Sequence, residues 1–255
     1  IAGMNIMNAL FMVVAALVAM TLLSFGFTIP QIFLVTAILN AIVALYIFTV
    51  VPEYLVRFVA WILIHTIHRV STINRDRIPD EGAAVLVCNH VSYVDAIVIM
   101  AASPRPIRFV MDHRIFKIPV LAWLFKTAKA IPIAPAKENP ELMERAFAQI
   151  AAALEDGDLV CIFPEGKLTS TGEMNEFRGG IKKIIDRTPV PVIPMALSGL
   201  WGSMWTRSAG NPFQRSFKRG PLSALQLTVG EAVAPTQATP EYLQQQVQTL
   251  RGAWQ

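Results

Sequence analysis

The first 52 residues are dominated by two long apolar runs and contain no Asp, Glu, Lys, Arg or His. Residues 6–25 and 32–51 each supply about 20 residues, enough for the roughly 30 Å of α-helix that a hydrocarbon core requires. The segment 26–31 between them contains Gly26 and Pro30 and predicts a tight turn. A cleaved signal peptide fits less well, because no basic residue precedes the first run and a second full-length run follows. Residues 1–52 are therefore predicted to form a two-helix transmembrane hairpin.

Residues 53–70 contain a further apolar segment that is too short to span a bilayer and predicts an interfacial helix. Basic side chains outnumber acidic ones directly after the second run: they are Arg57, His65, His68, Arg69, Arg75 and Arg77. Such an excess marks the cytoplasmic side of a bacterial inner membrane, so we expect the rest of the chain there. His65 and His68 have no third ligand close in sequence and are expected to face lipid headgroups rather than a metal.

From residue 71 onward, short runs rich in β-branched residues alternate with segments of helical periodicity. The predicted strands are residues 83–88, 107–111, 131–133, 159–163, 192–196 and 225–229. One helix is predicted after Asn139, where an N-cap residue, a proline and an early acid precede apolar positions on one face, and it ends at Gly157. This order predicts a single α/β domain over residues 71–255.

Hydrophobic residues make up 54% of the chain and charged residues 16%, with a mean hydropathy of +0.48. This composition excludes a disordered tail and indicates contact with a bilayer. The net charge of +4 comes without a long basic stripe interleaved with aromatics. No nucleic-acid partner is therefore expected, and membrane lipids are the expected partner. Cys88 and Cys161 lie far apart in apolar runs with no nearby Cys/His set, which indicates core packing rather than a disulfide or zinc site.

Two polar clusters follow predicted strands and carry the candidate chemistry. After the first strand, His90 and Asp95 lie five positions apart, where a turn can bring an imidazole base and an orienting carboxylate together. Taken alone, this spacing is more typical of a turn residue at His90 and of a helix cap or surface charge at Asp95. After the fourth strand, the run Glu165-Gly166-Lys167 and the later Arg178 combine a glycine turn with cations, which suits an anion. An exposed loop is the alternative for Lys167, whereas Glu165 lies in an apolar context where an acid needs a partner.

The segments 89–95 (Asn-His-Val-Ser-Tyr-Val-Asp), 163–166 (Phe-Pro-Glu-Gly) and 192–196 (Val-Ile-Pro-Met-Ala), in this order, resemble the glycerophospholipid (lysophosphatidate-type) acyltransferase family. The resemblance covers about residues 80–201 and implies an α/β domain with a mixed central sheet flanked by helices. It implies that His90, paired with Asp95, deprotonates the acceptor hydroxyl. That hydroxyl then attacks the thioester of acyl-CoA or acyl carrier protein without an acyl-enzyme. Glu165, Gly166 and Arg178 would help to bind the glycerol phosphate, and neither a metal nor a cofactor is expected.

The chain departs from the family pattern at basic positions. Leu168 stands where the family commonly has an arginine, so the cation role would pass to Lys167 or Arg178. In the second block Arg114 is displaced from the usual basic position, and Lys137 lies about where an arginine is usual. Fewer cations favour a phosphodiester over a phosphate monoester, which carries almost twice the charge. Lysophosphatidylethanolamine is therefore an acceptor to consider beside lysophosphatidate.

The two apolar runs followed by this domain also resemble the C-terminal part of bacterial proteins that fuse a lysophospholipid transporter to an acyltransferase. A simple two-helix anchor is the alternative, because apolar spans carry little family information. A non-catalytic lipid-binding part of such a transporter, or a thioester or phospholipid hydrolase using the same histidine, are the rival functions. Finally, the aromatic and basic segment 200–219 suits either anionic headgroups or a core with solvated cations.

Overall fold

A computed structural model of the chain describes residues 2–203, 205–206 and 223–252. The chain divides into two compact units between Val51 and Pro52. The first unit consists of helices α1 (Ala2–Ser24) and α2 (Ile29–Val50). Asn5–Ser24 and Ile29–Val50, each with a mean hydropathy of 2.4, are long and apolar enough to cross a membrane. Two such helices are compatible with a membrane-associated protein.

Helix α2 begins three residues earlier than the apolar pattern predicts. Thr28 caps the helix reciprocally with Gln31, whose side-chain oxygen accepts the Thr28 backbone N–H at 2.8 Å. Pro30 lies in the first turn, where a helix needs no N–H from it. The proline therefore starts this helix and does not extend the turn before it.

The second unit opens with α3 (Pro52–Ile67), which runs directly into strand β1 (His68–Ile73). The expected interfacial helix over 53–70 was thus too long, and the expected domain boundary at residue 71 falls inside a strand. The strand was missed because only Val70 and Ile73 of its six residues are apolar and they do not alternate with polar ones, and because it directly follows an apolar helix. His68 is buried, and its Nδ1 lies 2.8 Å from the Ser223 hydroxyl, so the expectation that it faces headgroups was wrong.

In the described part of the second unit, a seven-stranded mixed sheet forms the centre, as the family resemblance implied. Its remaining strands are β2 (Ala84–Cys88), β3 (Ile107–Asp112), β4 (Ile131–Ile133), β5 (Leu159–Ile162), β6 (Val192–Ser198) and β7 (Ser223–Val229). The spatial order is β1-β7-β6-β2-β5-β3-β4, and only β6 and β7 run antiparallel. All six predicted strands are present within two residues of their predicted bounds. The carboxyl ends of β2, β5, β3 and β4 consequently meet at one edge of the sheet.

Helices cover both faces of this sheet. They are α4 (Asp95–Ala102), α5 (Pro119–Thr127), α6 (Pro140–Glu155), α7 (Gly180–Arg187) and α8 (Pro240–Arg251). One core packs α3 and α4 against Leu86 and Cys88 of β2, and the other packs α6, α7 and α8 against Val85 and Val87. Alternate residues of one strand thus face two different cores. The α6 start is as predicted, since the Asn139 side chain accepts the Leu142 N–H at 2.9 Å.

The two cysteines occupy the core, as their apolar surroundings indicated. Both Cys88 and Cys161 are fully buried and unpaired. Burial raises the pKa of both thiols above the ordinary cysteine value, with neighbouring buried acids adding to the effect. Neither thiol is therefore poised as a thiolate nucleophile, and both serve as small apolar side chains.

Candidate active site

The imidazole of His90 and the carboxylate of Asp95 form a direct pair at the carboxyl end of β2. His90 Nδ1 lies 2.9 Å from Asp95 Oδ2. Asp95 is the first residue of α4 and is fully buried. Its Oδ2 also accepts the backbone N–H groups of Val91 and Ser92 at 2.8 and 2.9 Å, and its Oδ1 accepts the Ser92 hydroxyl at 2.6 Å. A carboxylate at the first turn of a helix that accepts all these hydrogen bonds is fixed in a position that orients the imidazole.

The ring of His90 is held by stacking against one face as well as by the hydrogen bond at Nδ1. The Phe163 ring stacks on it with centroids 4.2 Å apart and an angle of 16° between the planes. The His90 side chain keeps 24% of its surface exposed. Its Nε2 has no hydrogen-bond partner among the described residues. This arrangement is that of a general base, with one nitrogen bound to an acid and the other open to a substrate.

Neighbouring strands hold the backbone at His90 from two sides. The side chain of Asn89 makes two hydrogen bonds to the backbone of Leu197 in β6, at 2.9 and 2.8 Å. On the other side, Glu165 Oε1 accepts the His90 N–H at 2.7 Å, and the Thr169 N–H donates to the His90 carbonyl at 3.1 Å. The turn 163–169 therefore fixes His90 in position by hydrogen bonds to the backbone N–H and carbonyl of that histidine.

The buried side chain of Glu165 links the backbone at His90 to the loop that contains Asn175. Its Oε2 accepts both the backbone and the side-chain N–H of Asn175, each at 2.7 Å, and only 1% of the residue is exposed. Burial raises the pKa of the Glu165 carboxyl above its ordinary value, while the hydrogen bonds from Asn175 and His90 oppose that shift. Glu165 thus has the hydrogen-bond partners that an acid in an apolar context was predicted to need. The contact with substrate that the resemblance implies stays a prediction.

Gly166, Lys167 and Arg178 surround the outer side of Glu165. Gly166 has φ +63°, and its α-carbon lies under the Arg178 side chain so closely that an added Cβ would be 3.1 Å from Nη1. The Arg178 backbone N–H donates to the Pro164 carbonyl at 3.0 Å. A cavity of about 590 Å³ opens here; its lining residues are Glu165, Lys167, Asn175, Glu176, Phe177, Arg178, Gly179, Pro240 and Glu241. Neither cation has a carboxylate within ion-pair distance in the described part of the chain.

The other two predicted basic residues lie along the same sheet edge but outside this cavity. Arg114 follows β3, and its guanidinium donates to Glu138 at 2.6 Å, so its charge already has a partner. Lys137 follows β4, the edge strand, and is exposed. Leu168, at the position where the family commonly has an arginine, is buried. Lys167 and Arg178 thus line this cavity and Arg114 and Lys137 do not, and contact of any of these four with an acceptor stays a prediction.

Sequence reasoning missed the residues that hold the His90–Asp95 pair in place. Phe163 and Asn89 belong to the quoted motifs. A polar residue such as Asn89, directly after a buried strand, could have indicated a hydrogen-bonded link between strand ends. Asn175 lies in an irregular loop and gives no periodic signal. For the aromatic and basic segment expected over 200–219, residues 204 and 207–219 lie outside the described residues.

An oriented histidine–aspartate pair beside a cavity lined by Lys167 and Arg178, at the carboxyl edge of a mixed sheet, is an arrangement suited to activating a hydroxyl next to an anionic group. A family model described as Acyltransferase matches residues 69–198, just over half of the chain. The chain belongs to this acyltransferase family.

Curated relatives carry lysophosphatidate-type names. The chloroplastic 1-acyl-sn-glycerol-3-phosphate acyltransferase of Arabidopsis thaliana is 25% identical over 62% of this chain and 44% of its own length. A probable enzyme of the same name from Mycoplasma pneumoniae is 25% identical over 60% and 58%. The chain thus spans about half the length of these relatives. The crystal structure of the 1-acyl-sn-glycerophosphate acyltransferase of Thermotoga maritima shares the fold, with a TM-score of 0.56 at 20% identity over 71% of this chain and 69% of that one.

Proposed function

We propose that the protein transfers a fatty acyl group from acyl-CoA or acyl carrier protein to the free hydroxyl of a lysoglycerophospholipid. His90 Nε2 takes the proton of that hydroxyl while its oxygen attacks the thioester carbonyl carbon. The tetrahedral intermediate then expels the thiolate as the C–S bond breaks, and the imidazolium returns the proton to the sulfur. The reaction yields an ester and a free thiol and uses no cofactor.

The His90–Asp95 pair is the observation that carries this proposal. A site that only bound headgroups would gain nothing from an imidazole held at 2.9 Å by a buried carboxylate with its other nitrogen open. Glu165 connects this base to the cavity, since it accepts the His90 N–H and lines the cavity wall. Lys167 and Arg178 would then hold the acceptor's phosphate near the base.

Lysophosphatidate is the first candidate acceptor, since the relatives are named for it. A second candidate, lysophosphatidylethanolamine, is favoured by the mixed charge of the cavity. Two cations there suit a phosphodiester, and the carboxylates of Glu176 and Glu241 on the same wall suit an ammonium group. Glu176→Gln together with Glu241→Gln should then raise the KM for lysophosphatidylethanolamine about tenfold and leave that for lysophosphatidate unchanged.

The test is acyl transfer by the detergent-solubilised protein from labelled acyl-CoA and acyl carrier protein to both lysolipids side by side. His90→Ala should abolish transfer, while Lys182→Ala, at an exposed residue of α7 outside both cavities, should retain it. Free fatty acid released without any acceptor would instead indicate a hydrolase. Lipid binding without turnover in either protein, beside a working acyltransferase, would indicate the lipid-binding part of a transporter.

For the location, we propose the bacterial inner membrane with the acyltransferase unit on the cytoplasmic side. The support is the set of basic residues that follows the second apolar helix, beginning with Arg57 and continuing to Arg77. Acyl-CoA and acyl carrier protein are cytoplasmic donors, so this orientation also suits the reaction. Accessibility of single cysteines introduced at Arg69 and Gly26 in right-side-out vesicles would test it.

A further inference from the structure

A second cavity lies on the α3 side of the sheet, away from the site described above. It has a volume of about 440 Å³, and its lining residues are Arg57, Phe58, Trp61, His65, Val70, Thr72, Arg75, Ala101 and Ala102. Ala101 and Ala102 are the last residues of α4, whereas Asp95 begins that helix. About 10 Å of helix therefore separates this cavity from the catalytic pair.

The cavity concentrates positive charge without an acid. Arg57 Nη1 donates to the Ser103 carbonyl at 2.5 Å, and Arg75 Nε donates to the Ala102 carbonyl at 2.7 Å. Two consecutive carbonyls at the end of α4 thus fix two guanidinium groups at one place. Neither guanidinium has a carboxylate within ion-pair distance in the described residues, and the buried Nε of Arg57 has no hydrogen-bond partner there. Like charges held together in this way favour a shared anion.

The rim of the cavity is apolar and aromatic. Phe58 and Trp61 are about half exposed, and the Trp61 ring lies against the His65 ring with centroids 4.7 Å apart. Only one stripe of α3 is buried, namely Val56, Ala60 and Ile64. The rest of its surface presents large apolar side chains to solvent: Tyr54, Phe58, Val59, Trp61, Ile62, Leu63 and Ile67. An exposed apolar surface of this kind beside a cationic cavity suits a lipid, whose acyl chains and phosphate need both.

We infer that this cavity binds the phosphate of an anionic membrane phospholipid, with the glycerol and acyl chains along Phe58 and Trp61. The position in the sequence agrees, since α3 begins two residues after the second membrane-length helix ends. An anionic lipid fits better than a zwitterionic one, because the cavity offers no carboxylate for an ammonium group. The bound lipid would be separate from the acyl acceptor and would hold the acyltransferase unit at the bilayer surface.

The test uses the full chain in a nonionic detergent and measures binding of dioctanoyl-phosphatidylglycerol, dioctanoyl-phosphatidylcholine and inorganic phosphate by calorimetry. Phosphatidylglycerol should bind more tightly than the other two. Arg57→Gln with Arg75→Gln should weaken it at least about tenfold, since each guanidinium contributes charge-assisted hydrogen bonds. The matched control, Arg69→Gln with Arg145→Gln, makes the same charge change at exposed positions outside the cavity and should bind as the parent does.

The two arginines also cap α4, so a second variant separates binding from folding. Trp61→Ser leaves both arginine–carbonyl bonds in place and should weaken phosphatidylglycerol several-fold without changing the melting temperature. Parent-like affinity in both the double variant and the tryptophan variant would overturn the inference. Equally tight binding of inorganic phosphate would overturn the lipid assignment. His90→Ala should bind the lipid normally, so the outcome does not depend on the proposed acyl transfer.

Discussion

Asp95→Asn and Asp95→Ala separate the charge of the carboxylate from its hydrogen bonds. Oδ2 accepts three N–H groups, whereas Oδ1 accepts only the Ser92 hydroxyl. In the asparagine variant the amide oxygen can replace Oδ2 and keep all three N–H donors. The amide NH2 then replaces Oδ1 and donates to the hydroxyl, which rotates to accept. The asparagine variant therefore loses the negative charge and retains the hydrogen bonds.

The expected magnitudes follow from this difference. An imidazolium about 4 Å from a carboxylate is stabilised by about 4 kcal/mol at an effective dielectric constant of 20. Asp95→Asn should thus lower kcat about 10²- to 10³-fold, with the free energy of unfolding reduced by only about 1 kcal/mol. Asp95→Ala leaves three buried N–H donors without an acceptor at about 1–3 kcal/mol each, and water entering the space relieves part of this. We expect it to lose about 3–5 kcal/mol of stability and all measurable transfer.

The assay is release of the thiol from acyl-CoA in the presence of saturating lysolipid, with stability followed by thermal unfolding in detergent. Asp158→Asn is the control, because Asp158 precedes β5 at the opposite edge of the sheet and pairs with Arg108. A well-folded Asp95→Asn variant with kcat within about threefold of the parent would refute the role of this carboxylate in stabilising the imidazolium. An equal loss in the control would show that the assay reports general damage.

Three further substitutions test the surrounding structure. Glu165→Gln should lower the unfolding free energy by about 1–3 kcal/mol, because whichever oxygen becomes NH2 faces an N–H donor. Burial raises the pKa of the Glu165 carboxyl above its ordinary 4.5, so this group's contribution to stability is greatest below pH 4.5 and falls as pH rises through the folded value. The difference between parent and variant, measured by thermal unfolding from pH 4 to 7, should follow that fall. Arg178→Gln should raise the acceptor KM about tenfold in the transfer assay, whereas Arg187→Gln, at an ion pair on α7, should leave it unchanged. Gly199→Ala should destabilise more than Gly82→Ala by about 1–3 kcal/mol in the same melting assay. Gly82 has φ +80° and Gly199 has φ +91°, but only at Gly199 would the new Cβ overlap a backbone carbonyl of β7.

The sequence predicted the interior of the fold well because buried strands carry an unambiguous pattern. The strand at 131–133 and the α6 start at Asn139 were correct to the residue. Strand β1 was not predicted, since only one face of this edge strand is buried and its partner β7 is more than 150 residues away in the sequence. A pairing between residues so far apart leaves no local signal in the sequence. The helix α3, directly before β1, also hides the change from helical to strand periodicity.

At the candidate site, the sequence predicted that His90 and Asp95 lie together but not how they are held. The His90–Asp95 contact followed from a five-residue spacing across a strand-to-helix turn. The role of Glu165 in accepting the His90 backbone N–H could not follow from spacing, because it joins the ends of two strands 75 residues apart. The Asn175 contact depends in turn on the path of an irregular loop. Local spacing determines local turns, whereas bridges between strand ends depend on the sheet order.

Two buried acids lie on either side of one histidine, beside the outer cavity. Asp95 holds the ring of His90, and Glu165 holds its backbone, and both are almost wholly inaccessible to water. Their combined field favours the imidazolium that forms during transfer, but it disfavours a phosphate brought close to the same place. Lys167 and Arg178 have no carboxylate in ion-pair contact among the described residues and supply positive charge at the cavity, where Glu176 and Glu241 also lie. In the proposed reaction, the base and the phosphate-binding cations would therefore depend on each other electrostatically as well as through the shared turn.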